Sequence, residues 1–400
     1  MPQKNSVITA KYGLVQGLYW MSIAVALSFS SVYLLSKDFT NTQIGITVGI
    51  ASFIAAILQP IVAGFADYTD KISLNKIVSI LSIAMLVFGG LLFAVKSKMI
   101  IIALLYGMIM IFLLVILPLV SSLGMEYINR GVKLNFGLAR GMGSLSYAVI
   151  SYCVGILVAM YGTVVIPGLI ILVNLVFIFA VYNFRDSKTV TAEKKLELER
   201  RLLERDLEEH QKEEGHFFAR YPKFSILLVG IVIACLSQNM MNNFLFQIVE
   251  SKGGGSTEFG ITMALAALCE LPTMFLFVYM VEKVRCDIWM KISSIFFLLK
   301  SFGTFFVSNI YGMYMIQILQ MMGFALFTLS SIFYVNRVMR HQDRIKGQAF
   351  MTMTGTLGGV LGSLFGGIII DNSGVPAMLV LSIVTAGVGM IIMWFSTEKI

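Results

Sequence analysis

The chain predicts an all-α membrane protein with twelve transmembrane helices in two pseudo-symmetric six-helix bundles. Three observations carry this. Its 400 residues are 58% hydrophobic and only 13% charged, about half the charged share of a soluble protein. The apolar residues fall in blocks long enough to cross a bilayer, which takes about 20 residues. A pattern also recurs: Asn41-Thr-Gln-Ile-Gly-Ile-Thr opens the second block and Ser256-Thr-Glu-Phe-Gly-Ile-Thr opens the eighth.

The first bundle, residues 1–185, holds blocks at roughly 13–35, 43–66, 77–95, 99–123, 138–160 and 164–183. The second, 223–400, holds roughly 224–247, 259–281, 290–307, 311–334, 347–369 and 376–396. Each must be a helix, because lipid offers no partner for an unpaired backbone group. The first block is too long for a signal peptide and lacks a small-residue cleavage pattern. Val132-Lys-Leu-Asn-Phe before the fifth span echoes Ile345-Lys-Gly-Gln-Ala before the eleventh. Such duplicated halves are a transporter architecture, with the substrate site between them near the midplane. Spans five and eleven are rich in glycine (Gly137, Gly141, Gly143, Gly155; Gly355, Gly358, Gly359, Gly362, Gly366, Gly367). Close helix packing is the first reading of these.

Residues 186–222 form a charged linker. Glu197–Arg201 and Arg205–Glu209 are helical i,i+4 pairs, and Leu196, Leu203 and Leu207 share a stripe, as in a solvated or surface-lying helix. Basic residues set the orientation. With both termini cytoplasmic, the outer loops keep only Lys37, Lys96, Lys98 and Lys252. Topology thus explains the net charge of +8, and a nucleic-acid partner has no support. The expected location is the cell membrane. Cys153, Cys235, Cys269 and Cys286 show no metal spacing and read as free thiols.

Two ionisable residues interrupt apolar runs: Glu270 in the eighth span and Lys300 in the ninth. Each costs about 2.5–3.5 kcal/mol at that depth on the gentlest scale. A chain carries that cost when the charges face a polar cavity or each other. Burial disfavours a charged carboxylate, so Glu270 is the candidate proton carrier. Arg140, Tyr147, Lys300, Asn239, Asn243, Gln320 and Gln16 are the candidate solute contacts. Asn242 crowds the same end of the seventh span. His210, His216 and His341 fall in inner loops, away from any relay. No Gly-Lys-Ser/Thr nucleotide loop is encoded. No metal cluster or nucleophile–base arrangement is seen, so neither a cofactor nor an enzyme is expected.

Two segments carry a family resemblance. Gln59-Pro-Ile-Val-Ala-Gly-Phe-Ala-Asp67, with Lys71 and Lys76, resembles the loop between spans two and three of the major facilitator superfamily. Asn135-Phe-Gly-Leu-Ala-Arg140-Gly-Met-Gly-Ser144-Leu-Ser-Tyr147 resembles the span-five entry of the lactose permease group of oligosaccharide:proton symporters. Its relatives include phenylpropionate and nucleoside carriers. The resemblance implies that Arg140 grips solute hydroxyls and Tyr147 offers a stacking face. Glu270 and Lys300 fall on the group's span-eight glutamate and span-nine arginine. Asp67 falls at an inner gate. Glu126, one turn beyond the position (Ser122) that aligns with the carboxylate partner of the span-five arginine, is assigned to gating with it. The chain departs from the group at Gln320 and Gly323, where the group has a histidine and a proton-carrying glutamate. It departs again at Gln317, Gly355 and Ala63.

The expected function is a secondary active transporter moving a small polar organic solute, sugar-like or related, by alternating access with proton symport. The expected partners are the solute, protons and the lipid bilayer, and the working unit is a monomer. The alternatives are a drug or metabolite exporter, an uncoupled facilitator, and a non-transporting membrane receptor. The repeat and the intramembrane charges argue against the last.

Overall fold

A computed structural model describes residues 2–68, 72–95, 99–129, 134–184, 217–340 and 343–400. The linker helix expected at 186–222 therefore lies almost wholly outside the described residues. Among those described there is no strand. Eleven helices are long and apolar enough to cross a membrane, and the protein is a multi-pass membrane protein.

The last of the eleven, Arg344–Ser396, contains two crossings. Gly374 sits at φ 80°, ψ 173°, a conformation open to glycine and strained for other residues. The two arms pack on the seventh span, Pro222–Asn243, in opposite directions. Gly358 lies against Cys235 and Gly366 against Phe244, so the first arm runs parallel to it. Ser382 bonds Ser237 and Gly389 lies against Ala234, so the second runs antiparallel. The chain reverses at Gly374, and the expected twelve crossings are recovered.

The other spans are Pro2–Ile23 continuing to Leu35, Asn41–Tyr68, Leu74–Ala94, Met99–Asn129, Phe136–Tyr161, Val165–Asn183, Ser256–Lys283, Cys286–Phe306 and Ile310–Val338. Large apolar side chains such as Ile61, Leu104 and Phe179 face outward, as lipid requires. Asn135 caps the fifth span by accepting from Leu138 N at 3.0 Å, and Asn309 caps the tenth through Gly312 N at 2.9 Å. Pro118 removes the helical donor to Leu114 O. Gln59 of the second span donates to that carbonyl instead, at 2.9 Å.

Two spans change helix type inside the membrane. The first has a π segment at Ala24–Ser28. The tenth passes through a 3₁₀ turn, Gln317–Gln320, into a π segment, Met321–Ala325. Such irregular turns often mark functional positions. In each, a neighbouring span bonds a carbonyl of the π segment. Tyr106 donates to Ala26 O at 2.9 Å and Thr273 to Met321 O at 2.8 Å.

The halves meet through the second and eleventh spans and through the fifth and eighth. The sequence repeat becomes a repeated crossing. A methyl group at Gly260 would lie 2.5 Å from Ser151 O, and one at Gly155 would lie 2.6 Å from Ser256 O. In the other seam Gly45 crosses Ser363 O and Gly367 crosses Asn41 O just as tightly. Both seams lie on the face away from the termini, the distal face. There Asp371 accepts from Asn41 N (3.0 Å), Asn41 Nδ2 (2.9 Å) and Thr42 N (2.7 Å), and Gln247 donates to Asn41 Oδ1 (2.9 Å). The largest apolar core is continuous across the halves here, joining Ile44 and Val48 to Phe244, Phe259 and Ile370. Toward the terminal face the second half keeps a separate core, including Phe224, Phe277 and Tyr334. The distal face is closed.

On the terminal face, Asp343 before the eleventh span accepts from Arg220 at 3.0 Å and Tyr221 at 2.8 Å. Burial pushes its carboxyl up, but these two partners hold it below the usual carboxylate range. A lowered native pKa gives stability present above the unfolded value and lost as pH falls through the native one. Asp343→Asn is expected to destabilise the protein by about 1.5–3 kcal/mol at neutral pH. The deficit should begin to shrink as pH drops below about 4 and vanish once pH is below the native value. Thermal midpoints in detergent across pH check this, and a pH-independent deficit would refute it.

Candidate functional site

Side chains of both halves meet between them, with Tyr147 bonding Met263 and Arg140 near Glu270. On one wall, the fifth span starts with small residues that let the first span approach. Gly143 makes room for Trp20, whose Cδ1 would lie 2.6 Å from a methyl group there. The Arg140 guanidinium stacks on the Trp20 ring, 4.1 Å from its centroid. Arg140 Nη1 donates to Ser144 Oγ at 3.3 Å. Two turns deeper, the Tyr147 hydroxyl bonds Ser28 Oγ at 2.8 Å, at the end of the first span's π segment. The same hydroxyl reaches Met263 Sδ of the other half at 3.9 Å.

On the opposite wall three spans build one polar chain. Lys300 Nζ donates to Gln320 Oε1 at 2.5 Å, and Gln320 Nε2 donates to Glu270 Oε1 at 2.8 Å. Lys300 and Gln320 are 6% and 7% exposed, and the Gln320 amide bridges the Lys300 and Glu270 charges. Among the described residues the ion pairs are Arg220–Asp343 and Arg285–Asp287, neither at this cavity. Lys300 and Glu270 are thus joined through Gln320 and not by direct contact. Arg140 and Lys300 both feel the Glu270 charge. Arg140, Lys300 and Glu270 form a triad of two cations and one carboxylate, with Arg140 on one half and the other two on its partner half.

The structure brings Arg140, Tyr147, Glu270, Lys300 and Gln320 together. The remaining solute-contact candidates bond their own or a neighbouring helix. Gln16 is 2% exposed and donates to the Tyr12 hydroxyl at 2.7 Å, which donates to Val120 O at 3.1 Å. Asn239 bonds Cys235 O at 2.9 Å and Gly355 O at 3.5 Å. Asn243 bonds Ser363 Oγ at 2.6 Å. The two asparagines thereby tie the seventh span to the eleventh. Glu126 lies in the last turn of the fourth span. Asp67 is in the second span's last turns, and its side chain lies outside the described residues, as does His341.

Trp20 was not among the expected residues. A signal was available: tryptophan concentrates at membrane edges, yet Trp20 is mid-span and one turn beyond Gln16. Gly323, where the lactose permease group has its glutamate, packs against the Phe297 ring, its would-be methyl 3.4 Å from Cδ1. That position has no acid to offer the cavity. Gln317 is 1% exposed and donates to Met313 O at 3.1 Å, while its Oε1 has no partner among the described residues. Those residues also contain no group of His, Cys, Asp and Glu that could hold a metal.

Comparison with known proteins agrees with this architecture. The chain superposes on the nucleoside transporter NupG with a TM-score of 0.75 at 13% identity, covering 97% of this chain and 98% of that one. It matches the POT family transporter PepTSo at 0.68 and 12%, covering 99% and 97%. It matches a bacterial homologue of the iron transporter ferroportin, in an inward-facing state, at 0.67 and 13%, covering 98% and 99%. No curated protein matches the sequence. The MFS_1-like family matches residues 12–380. The chain belongs to that family, and it has the fold of the major facilitator transporters.

Proposed function

We infer that the protein carries a small polar organic solute, sugar-like or related, across the cell membrane together with protons. It does so as a single chain, by rocking residues 1–185 against 223–400, with both termini cytoplasmic. The observation that carries this reading is the Lys300–Gln320–Glu270 chain facing Arg140 and Trp20 on the other half. Charged groups at that depth are retained where they line a substrate or ion path. Glu270 accepts from Gln320 at Oε1. Its Oε2 makes no hydrogen bond among the described residues, so a proton can arrive there without breaking the chain. Loss and gain of that proton change the charge between the halves, which biases the rocking. The comparison proteins are named for nucleosides, peptides and iron, which supports a solute carrier and leaves the cargo to the site. Asp67 and Glu126 would act in gating.

The test is external pH in lightly buffered proteoliposomes during addition of single solutes. Alkalinisation with one class establishes symport. Uptake of that class without alkalinisation would refute the proton role and leave a facilitator. Efflux alone would make the protein an exporter.

A further inference from the structure

The charge count of the cavity goes one step further, resting on the transport reading above. With Glu270 ionised, the triad carries one net positive charge. With Glu270 protonated it carries two. Unbalanced charge away from bulk water is costly, so the protonated site calls for a negative group. Arg140 is placed to receive it. Its guanidinium carbon lies over the Trp20 ring, 4.1 Å from the centroid, a contact that uses up none of its N–H donors. Nη1 makes one long bond, to Ser144 at 3.3 Å. A guanidinium has five donors in a fork that matches a carboxylate. The other Arg140 donors make no hydrogen bond among the described residues, and the carboxylate across the halves, Glu270, acts on Arg140 from outside ion-pair distance. Lys300 offers no such fork, is 6% exposed, and already gives one of its three donors to Gln320 Oε1.

We propose that the cargo is an organic monoanion whose carboxylate is held by the Arg140 fork and takes over the role of the Glu270 charge when Glu270 is protonated. One proton then travels with one anion, and no net charge crosses the membrane. Proton and cargo strengthen each other's binding, because each supplies what the other leaves unbalanced. A neutral sugar or nucleoside carried by the same proton would instead move one positive charge per cycle.

The experiment uses the full chain and matched pairs of probes: glucuronate against glucose, orotidine against uridine, and N-acetylalanine against N-acetylalaninamide. Binding is read from tryptophan emission, since Arg140 stacks on Trp20. Trp20→Phe should remove the signal while Trp289 and Trp394 remain. In at least one pair the acid is expected to bind about 10- to 100-fold more tightly than its neutral partner, and more tightly as pH falls. Arg140→Gln should abolish the preference. Arg140→Lys, which keeps the charge and loses the fork, should restore only part of it. Uptake of the bound acid into proteoliposomes should alkalinise the outside and ignore a potassium diffusion potential. The proposal is overturned by equal binding within every pair, by no carboxylate binding at all, or by acid uptake driven by a negative interior. Alkalinisation with glucose or uridine and none with the acids would sink the anion while leaving symport intact. Silence to all six would remove both.

Discussion

Glu270→Gln is expected to abolish uphill accumulation driven by a pH gradient while leaving downhill exchange of the same solute. Glutamine keeps the amide-sized side chain and an oxygen to accept from Gln320, whose bond to Glu270 is 2.8 Å. What it removes is the exchangeable proton. One proton per solute across one pH unit supports at most about tenfold accumulation. The variant should fall to an internal-to-external ratio of about one, whatever the gradient. Counterflow of labelled solute, which needs no net proton movement, should persist. Retained accumulation in the variant would move the coupling role away from Glu270. Loss of both accumulation and counterflow, in a protein of normal thermal midpoint, would make Glu270 a cargo contact instead.

Gly45→Val or Gly260→Val should have a comparable effect on transport for a different reason. A side chain at either glycine runs into a backbone carbonyl of the opposite half, Ser363 O or Ser151 O. A main-chain atom in a membrane helix cannot step aside as a flexible side chain can. Overpacking of this kind costs about 1–3 kcal/mol, and here the distal-closed state bears it. That state should lose about 5- to 150-fold in population. Spin labels at Val164 and Glu250, on opposite halves of the distal face, should report a longer distance. Gly355→Ala and Gly64→Ala are the controls, since nothing lies within 4 Å of a methyl group at either. An unchanged distance in the valine variants, with transport retained, would mean the seams are not the closure.

Much of the fold was legible because lipid leaves so few choices. An apolar block of the right length must be a helix, and twelve of them were countable. The reversal at Gly374 was legible too, as a break between apolar blocks, and the backbone leaves helical geometry there. The repeat was visible in Asn41–Thr47 and Ser256–Thr262, but its meaning was not. Only the structure shows that Gly45 and Gly260 each sit where backbone crosses backbone between the halves.

At the site, the ionisable residues announced themselves by their cost. Glu270, Lys300 and Arg140 were each conspicuous in apolar surroundings. The polar uncharged residues were not separable by sequence. Gln320 and Gln16 look alike in their spans, yet one bridges two charges and the other bonds Tyr12 on its own helix. An amide is cheap enough to serve either purpose, so only its neighbours decide. Trp20 was passed over because an aromatic ring among apolar residues reads as packing. Its role depends on a cation arriving from the fifth span through the gap left by Gly143.

The backbone crossings of the two distal seams rest on glycine and main-chain oxygen, while the site between the halves rests on charged and amide side chains. The closing surface therefore holds no record of what is carried. On the transport reading proposed above, changes at Arg140, Tyr147 or Gln320 are expected to alter cargo preference without touching the part that moves, and changes at Gly45 or Gly260 to retime that part without altering what is recognised. For engineering, the chain offers two independent dials: one for taste and one for tempo.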